Sequence, residues 1–237
     1  MAAIDLMQQW AEAVGIVIRE RTVIVEGTSD VEMFALAARL FRASTGANLL
    51  DDRIAITAGG EGTDGGTTGV LRKLHAGREL SRACLLPNGR AKYRFIALFD
   101  NDRAGRQAIR AAKDLDRNLL EYRDVFRLWP MMPKFGSLDV RSLQLATESA
   151  NDGFKGLEWE LEDLLHDSFL DAFLSDEPTA VASSFSAGGR VHRNYSRDGK
   201  SRLHRFVKNH AMLPDVAGVV DVLFALRFYL GLPNLQS

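Results

Sequence analysis

Four short apolar stretches alternate with helical patterns over residues 21–130, and this alternation constrains the fold more than any other feature. The stretches lie at 22–25, 53–57, 95–99 and 124–129. Helical spacing of apolar residues fills the intervals, at about 29–41, 70–80 and 103–120. Strands that alternate with helices favour right-handed crossovers and a mostly parallel sheet. We therefore expect an α/β fold with a Rossmann-like core.

The rest of the chain is expected to be helical. A helix is predicted within residues 1–20, and the core is assigned to 21–130. Residues 131–237 form the third part, which we expect to complete the active site, with helices near 157–174, 201–211 and 216–230. The glycine-rich residues 59–66 predict a loop. Ser29 and Glu32 fit a capping box that opens the helix after the first strand.

Composition excludes several classes of protein. The single cysteine, Cys84, cannot form an internal disulfide, which argues for a reducing cytoplasm. The N-terminal residues lack the pattern of a signal peptide, and no stretch approaches the ~20 apolar residues of a membrane-spanning helix. The five histidines show no metal-ligand spacing, so packing or surface roles are expected for them.

The net charge of −1 hides two oppositely charged segments. Residues 148–177 hold ten acidic residues and one basic residue, whereas 187–210 hold seven basic residues and one acidic residue. The two surfaces could pair with each other, or the basic segment could bind nucleic acid.

Acidic residues follow two of the predicted strands at the point where each strand ends. Glu26 comes directly after the first strand, and Asp100 and Asp102 come directly after the third. Ligands of open α/β sheets bind beyond the carboxyl ends of the strands, so these side chains are expected to share a crevice. Clustered carboxylates disfavour one another's charge unless a cation lies between them, and oxygen ligands suit Mg²⁺ or Mn²⁺.

Two of these acidic groups also have a simple structural interpretation. Asp102 precedes a predicted helix and could be its N-cap, and Asp30 lies in the first turn of a helix, where negative charge is favourable. Glu26 and Asp100 are harder to explain in this way, because a charge that ends an apolar strand is costly unless it is paired or hydrated.

Two motifs resemble those of the Toprim domain. Residues 25–30 read Val-Glu-Gly-Thr-Ser-Asp, and residues 98–106 read Leu-Phe-Asp-Asn-Asp-Arg-Ala-Gly-Arg. The Toprim domain occurs in topoisomerases, bacterial primases, ribosomal-RNA maturation nucleases and overcoming-lysogenization-defect endonucleases. Asp30, four residues after the glutamate, and the glycines at 59–60 look most like the last branch. The resemblance covers about residues 20–130.

The resemblance implies metal-dependent hydrolysis of phosphodiester bonds, with two Mg²⁺ or Mn²⁺ ions and DNA favoured over RNA as the substrate. It implies catalytic roles for Glu26, Asp100, Asp102 and Lys200. The implied metal ligands are Glu26, Asp30, Asp100, Asp102 and Glu162. Glu160 is the alternative to Glu162, and Lys208 is the alternative to Lys200.

The basic segment would bind the phosphates of nucleic acid through Arg190, Arg193, Arg197, Arg202, Arg205 and Lys208. Tyr195 and Phe206 could stack on bases, although core packing is the alternative for Phe206.

The chain departs from the overcoming-lysogenization-defect architecture because it has no phosphate-loop motif of an ATPase. It could act alone, or a separate ATPase protein could control it, as in some split anti-phage systems. Three alternatives stay open: a non-catalytic Toprim scaffold, a Toprim RNA-processing nuclease, and a receiver-like domain in which Asp100 would be a phosphoacceptor.

Overall fold

A computed structural model describes residues 5–60 and 65–233, and in this part of the chain a parallel sheet is flanked by helices on both faces. The strands are β1 (Arg21–Val25), β2 (Ile54–Ala58), β3 (Arg94–Phe99), β4 (Val125–Arg127), β5 (Val181–Ala187) and β6 (Arg190–Tyr195). The helices are α1 (Leu6–Ala13), α2 (Thr28–Thr45), α3 (Gly66–Ser81), α4 (Arg103–Leu115), α5 (Val140–Ala150), α6 (Asp167–Asp176), α7 (Arg197–His210) and α8 (Ala217–Tyr229). Ile4 and loop residues 61–64 lie outside the described residues.

The first four strands form one sheet in the order β2–β1–β3–β4, and every neighbouring pair is parallel. The prediction of a Rossmann-like α/β core is thereby confirmed. In the register of β1, Arg21 lies beside Ile54 of β2 on one side and beside Arg94 of β3 on the other. The first residues of the three strands therefore define one edge of the sheet, and the residues that follow the strands define the opposite edge.

Apolar side chains cover both faces of this sheet, as the unbroken apolar run of the third strand predicts. One face, which includes Val23 and Leu98, packs against α2 and α8. The other face, which includes Ile24 and Phe95, packs against α1, α3 and α4. The two faces of the sheet thus belong to two separate apolar cores, and the charged side chains of the four strands lie at the two edges.

The strand order changes direction between β1 and β3, because the next strand along the chain is added on opposite sides of the sheet. The chain leaves β1 through α2 to reach β2 on one side, whereas it leaves β3 through α4 to reach β4 on the other. Open α/β sheets bind ligands in the crevice at such a switch point, beyond the carboxyl ends of the strands. Glu26 and Asp100 occupy those two strand ends.

Several element boundaries differ from the predicted ones. The first helix ends at Ala13, because Gly15 adopts a positive φ of 66° and turns the chain. Helix α2 begins at Thr28 with Gly27 as the N-cap, and Asp30 takes the place in the capping box that we predicted for Glu32. The predicted helix over 103–120 ends at Leu115, where Asp116 turns to extended backbone.

The C-terminal part contains an antiparallel hairpin, β5–β6, that the prediction of loops and helices missed. The helix predicted over 157–174 is also wrong. Leu161–Leu164 is one short 3₁₀ turn, and the chain is extended at Leu165 before α6 begins at Asp167. The Asp163 carboxylate accepts the backbone N–H of Glu160, and such a local bond competes with continuous helix. No helix in the two described ranges is long and apolar enough to cross a membrane.

Candidate active site

Glu26 and Asp100 meet at the switch point of the sheet. The backbone N–H of Asp100 donates to Glu26 Oε1 at 3.3 Å, so the two strand ends are directly joined. Gly105, in the first turn of α4, lets the helix approach the carbonyl oxygen of Asp100 so closely that any Cβ there would clash with it. The Asp-x-Asp-x-x-Gly segment therefore folds tightly against the strand end, and this fixes the position of Asp100.

Asp30 joins the cluster from the first turn of α2. Its carboxylate accepts the backbone N–H of Gly27 at 2.9 Å, which confirms the structural role considered for it. It also lies close enough to Asp100 to raise the pKa of that group. Asp30 therefore closes the helix and contributes negative charge to the switch point at the same time.

Glu162 reaches the same place from the C-terminal part. Backbone bonds between Asn101 and Trp159 attach this part of the chain to the end of β3, with Asn101 N–H donating at 2.9 Å. Trp159 is 1% exposed and anchors the attachment in the core. The 3₁₀ turn that follows buries Glu162, whose charge acts on both Asp30 and Asp100.

Two basic residues of α7 lie against Glu162. Lys200 Nζ is 3.1 Å from a carboxylate oxygen of Glu162 and 3.1 Å from one of Glu160. His204 Nε2 is 2.6 Å from Glu162 Oε1. Between the alternatives left by the sequence, the structure brings Glu162 and Lys200 to the cluster. The sequence analysis missed His204, although its spacing of four from Lys200 predicts the same face of a helix.

Burial and mutual repulsion disfavour charge on three of the carboxylates. Burial, with the nearby charges of Asp102 and Asp30, raises the pKa of Glu26 to about 7. Burial and the charges of Asp30, Glu26 and Glu162 raise the pKa of Asp100 well above its ordinary value. The pKa of Asp30 is raised in the same way. These shifts are those expected of carboxylates that share one site without a cation between them.

Glu162 behaves in the opposite way. Burial alone would raise its pKa, but the His204 hydrogen bond and the charge of Lys200 lower the pKa to about 2. Although burial disfavours its charge, Lys200 has a raised pKa because Glu162, Glu160 and Asp100 surround it. The cluster therefore holds one firmly ionised carboxylate beside three that gain protons readily.

The donors of the cluster suit a divalent cation by chemical type. In the described residues, however, the three ligand atoms that lie within 4.8 Å of one another belong to His75, Glu79 and Asp116. Glu162 Oε2 is buried and has no hydrogen-bond partner among the residues that the structure describes. Glu26, Asp30 and Asp100 line a small cavity of about 10 Å³, which is room for one particle the size of a water molecule. All the available donors are carboxylate oxygens, the ligands that Mg²⁺ and Mn²⁺ favour.

Asp102 has a different position from the other predicted ligands. Its carboxylate accepts the backbone N–H of Gly105 at 2.6 Å and caps α4. Its charge acts on Glu26, so it borders the cluster. The structural interpretation of Asp102 is thus observed.

A buried pair supports the turn that carries Glu162. His192 Nδ1, from β6, lies 2.7 Å from Asp163 Oδ2, and both side chains are 1% exposed. Asp163 also accepts the backbone N–H of Glu160 at 2.9 Å and of Arg193 at 3.1 Å. The hairpin therefore supports the Glu160–Asp163 turn through the contacts of His192 and Arg193 with Asp163. No spacing in the sequence indicates this role.

Some residues of the basic segment form ion pairs, and others are exposed. Arg193 pairs with Asp167, and Arg202 pairs with Glu177 and Asp198. Both residues were predicted to bind nucleic acid, but their charges are largely matched by acidic groups. The remaining predicted residues are exposed: Arg190, Arg197, Arg205 and Lys208.

The two aromatic residues considered for base stacking are packed instead. Phe206 contacts the rings of Phe169 and Phe173 at 5.0 and 5.4 Å between centroids. The Tyr195 hydroxyl is buried. Packing against the core, the alternative considered for Phe206, is therefore correct.

A second group of potential metal ligands lies outside this site. Ligand atoms of His75, Glu79 and Asp116 lie within 4.8 Å of one another at α3 and the end of α4. Glu79 already pairs with Arg82, and Asp116 accepts the backbone N–H of Asn118. A packing or surface role was expected for His75, and no spacing in the sequence indicated this group.

Comparison with known proteins gives no relative from which to transfer a function: no family model, curated protein or solved structure matches this chain.

Proposed function

We propose that the chain is a divalent-metal-dependent nuclease of the Toprim type, with DNA as its favoured substrate. The observation that supports this most is the convergence of four carboxylates at the switch point, together with the unpartnered and buried Glu162 Oε2. Without a cation, four clustered and desolvated carboxylates would have Lys200 as their main compensating charge, which leaves negative charge in excess when they are ionised.

Glu26, Asp30, Asp100 and Glu162 would hold the metal. When bound, Mg²⁺ or Mn²⁺ supplies Lewis acidity and lowers the pKa of an attacking water. His204 fixes one oxygen of Glu162 at 2.6 Å, which leaves the other oxygen for the metal. Asp102 stabilises the start of α4 and thereby the loop that carries Asp100.

Lys200 would stabilise negative charge on the phosphate. Its Nζ is partly exposed and lies between Glu160 and Glu162, so it can exchange a carboxylate contact for a phosphate oxygen without leaving the site. The exposed Arg197, Arg205 and Lys208 of the same helix would contact the flanking backbone and give binding that weakens with salt.

A cleavage assay tests the proposal. Purified protein is incubated with supercoiled plasmid and, separately, with RNA in Mg²⁺, Mn²⁺ or EDTA. We expect metal-dependent cleavage of the plasmid that is lost in Glu26→Gln and Asp100→Asn. Asp114→Asn is the matched control, because Asp114 is an exposed acidic residue of α4. Cleavage that survives in both site variants, or that persists in EDTA, would contradict the assignment.

An inactive wild-type protein leads to a second measurement. Calorimetric Mn²⁺ binding that is present in the wild type and absent in Asp100→Asn would indicate an effector controlled by a separate protein, for which an ATPase is the proposed partner. Absence of both cleavage and metal binding would favour the non-catalytic scaffold. RNA cleavage without DNA cleavage would favour the RNA-processing alternative.

A further inference from the structure

A pocket rich in arginine lies at the amino edge of the sheet, the edge opposite the acidic cluster. Its volume is about 500 Å³. The arginines that line it come from the first residues of two strands, the end of α3 and the loop before β3: Arg21, Arg78, Arg82, Arg90 and Arg94. The sequence analysis drew no conclusion from these residues, because they are scattered over the chain.

Two of these arginines are forced together by the sheet. Arg21 of β1 and Arg94 of β3 are register partners in neighbouring parallel strands, and both are partly buried. Like charges in this relation are destabilising unless something compensates them. Burial lowers the pKa of Arg94, and Arg21, Arg123 and Arg78 lower it further against the opposing effect of Asp124.

The carboxylates around the pocket match only part of this charge. Asp124 pairs with Arg78 but also with Arg123, and Glu79 pairs with Arg82 at the exposed rim. Arg21 and Arg94 donate to neutral backbone carbonyls, those of Lys92 and Arg123 among them. These bonds satisfy N–H groups but cancel no charge, so positive charge remains in excess.

Donor groups in the pocket also lack acceptors. The Nε atoms of Arg21 and Arg78 are buried and have no hydrogen-bond partner within residues 5–60 and 65–233. A buried N–H of a charged guanidinium without an acceptor is costly, because it has lost water and gained nothing. An anion with several oxygens would satisfy these donors, and the guanidinium fork matches phosphate geometry.

We propose that this pocket binds a small anion that carries two or more linked phosphate groups. The excess of arginine favours such a ligand over a single carboxylate or a single phosphate. The aromatic residues that line the pocket, Tyr93 and Phe95, are 3% and 2% exposed, so they offer no ring face on which bases could stack. The proposal does not depend on nuclease activity at the opposite edge.

Binding of tripolyphosphate in EDTA tests the proposal, since EDTA removes metal from the acidic cluster. Calorimetry and thermal unfolding are carried out with the wild type and with sodium chloride at matched ionic strength. We expect saturable binding and, at about 100 times the dissociation constant, a rise in Tm of roughly 5–10 °C. A rise that sodium chloride reproduces would overturn the proposal.

Variants locate the binding. Arg21→Gln and Arg94→Gln keep a polar side chain and should weaken tripolyphosphate binding by about 10-fold or more. Arg110→Gln, at an exposed position of α4, is the matched control and should bind as the wild type does. Unchanged affinity in both pocket variants, or an equal loss in Arg110→Gln, would overturn the proposal.

Further measurements distinguish tripolyphosphate binding in this pocket from binding at the acidic edge, from binding of single phosphate groups and from binding of nucleic acid. Asp100→Asn should bind tripolyphosphate normally, whether or not the wild type cleaves nucleic acid. Inorganic phosphate should bind more weakly than tripolyphosphate. A 5′-phosphorylated oligonucleotide that binds in the pocket while tripolyphosphate does not would show that the ligand is nucleic acid and overturn the proposal.

Discussion

The two edges of the parallel sheet carry opposite charge and are assembled differently. At the carboxyl edge, Glu26 and Asp100 are joined by Glu162 and Lys200 from the C-terminal part of the chain. At the amino edge, Arg21 and Arg94 are placed together by strand register alone. The acidic cluster thus needs residues from the C-terminal part in addition to strand order, whereas strand register alone places Arg21 beside Arg94.

The sheet also keeps the two charge clusters apart. Strand β1 is five residues long, so its ends are separated by roughly 16 Å. This exceeds the Debye length of about 8 Å at physiological ionic strength, and the strand interiors between the edges are apolar. The separation is far beyond the about 4 Å of an ion pair, so the arginines form no direct ion pairs with the carboxylates of the opposite edge.

The largest effect is expected from Asp100→Asn. If the proposed function is right, cleavage should fall by at least about 100-fold, because the change removes one of the proposed metal ligands, while tripolyphosphate binding at the amino edge stays unchanged. Initial rates on supercoiled plasmid and calorimetry on the same preparation measure both quantities. A parallel loss of both would show that the two edges are not independent.

The next effect is a pH dependence that belongs to the carboxyl edge. Folding raises the pKa of Glu26 from 4.5 to about 7, so the folded chain binds more protons than the unfolded chain between these values. The free energy of unfolding in EDTA should therefore fall as pH rises from about 4.5 to 7, by on the order of 2 kcal/mol. Urea unfolding across this range measures it.

Glu26→Gln is the control for this pH dependence and should reduce it by the share of Glu26, because the pKa values of Asp30 and Asp100 are raised as well. Saturating Mg²⁺ should reverse it in the wild type. The arginines of the amino edge do not titrate in this range. Stability that rises between pH 4.5 and 7 in the metal-free protein would contradict the assignment of the raised pKa.

A smaller loss of stability is expected from His192→Ala. Asp163 would lose one of its buried partners and keep the two backbone N–H groups, so the free energy of unfolding should fall by about 1.5 kcal/mol. Mg²⁺ affinity should fall with it, since the Glu160–Asp163 turn loses its support. His192→Asn, which can still donate a hydrogen bond, should recover part of both losses. Unchanged Mg²⁺ affinity in His192→Ala would show that the hairpin does not position Glu162.

The smallest effect is expected at the amino edge. In the absence of phosphate, Arg94→Gln should leave the free energy of unfolding unchanged or raise it by about 0.5 kcal/mol, because it relieves like-charge repulsion with Arg21. Urea unfolding in a buffer free of phosphate measures it. A clear loss of stability would mean that Arg94 is a structural residue and that its charge is already compensated.

The sheet could be predicted from the sequence because its signals are local. Each strand is a short apolar run, and the acidic residues that end β1 and β3 stand directly beside those runs. Parallel order then brings Glu26 and Asp100 together without further information. Asp30, four residues after Glu26, was implied by the resemblance to the Toprim motif and not by strand order.

The rest of the site depends on contacts that have no local signal. The acidic pattern near 157–174 is typical of a solvated helix. The backbone bonds between Asn101 and Trp159 instead attach this segment to the end of β3, where it forms a turn that faces the cluster. The hairpin was missed because its exposed face is rich in serine and arginine. Charge counts could not separate Arg193, which is paired, from Arg197, which is exposed, since both lie in the same basic segment.

The late position of Glu162 in the chain has a consequence for synthesis. The ribosome adds about 5–20 residues per second, so roughly 5–20 s pass between Asp100 and His204. Once β4 has been made, the strands of the sheet are complete, but the cluster still lacks Glu162 and the two basic residues of α7. If the chain cleaves nucleic acid, a nascent molecule therefore stays inactive until α7 has been made.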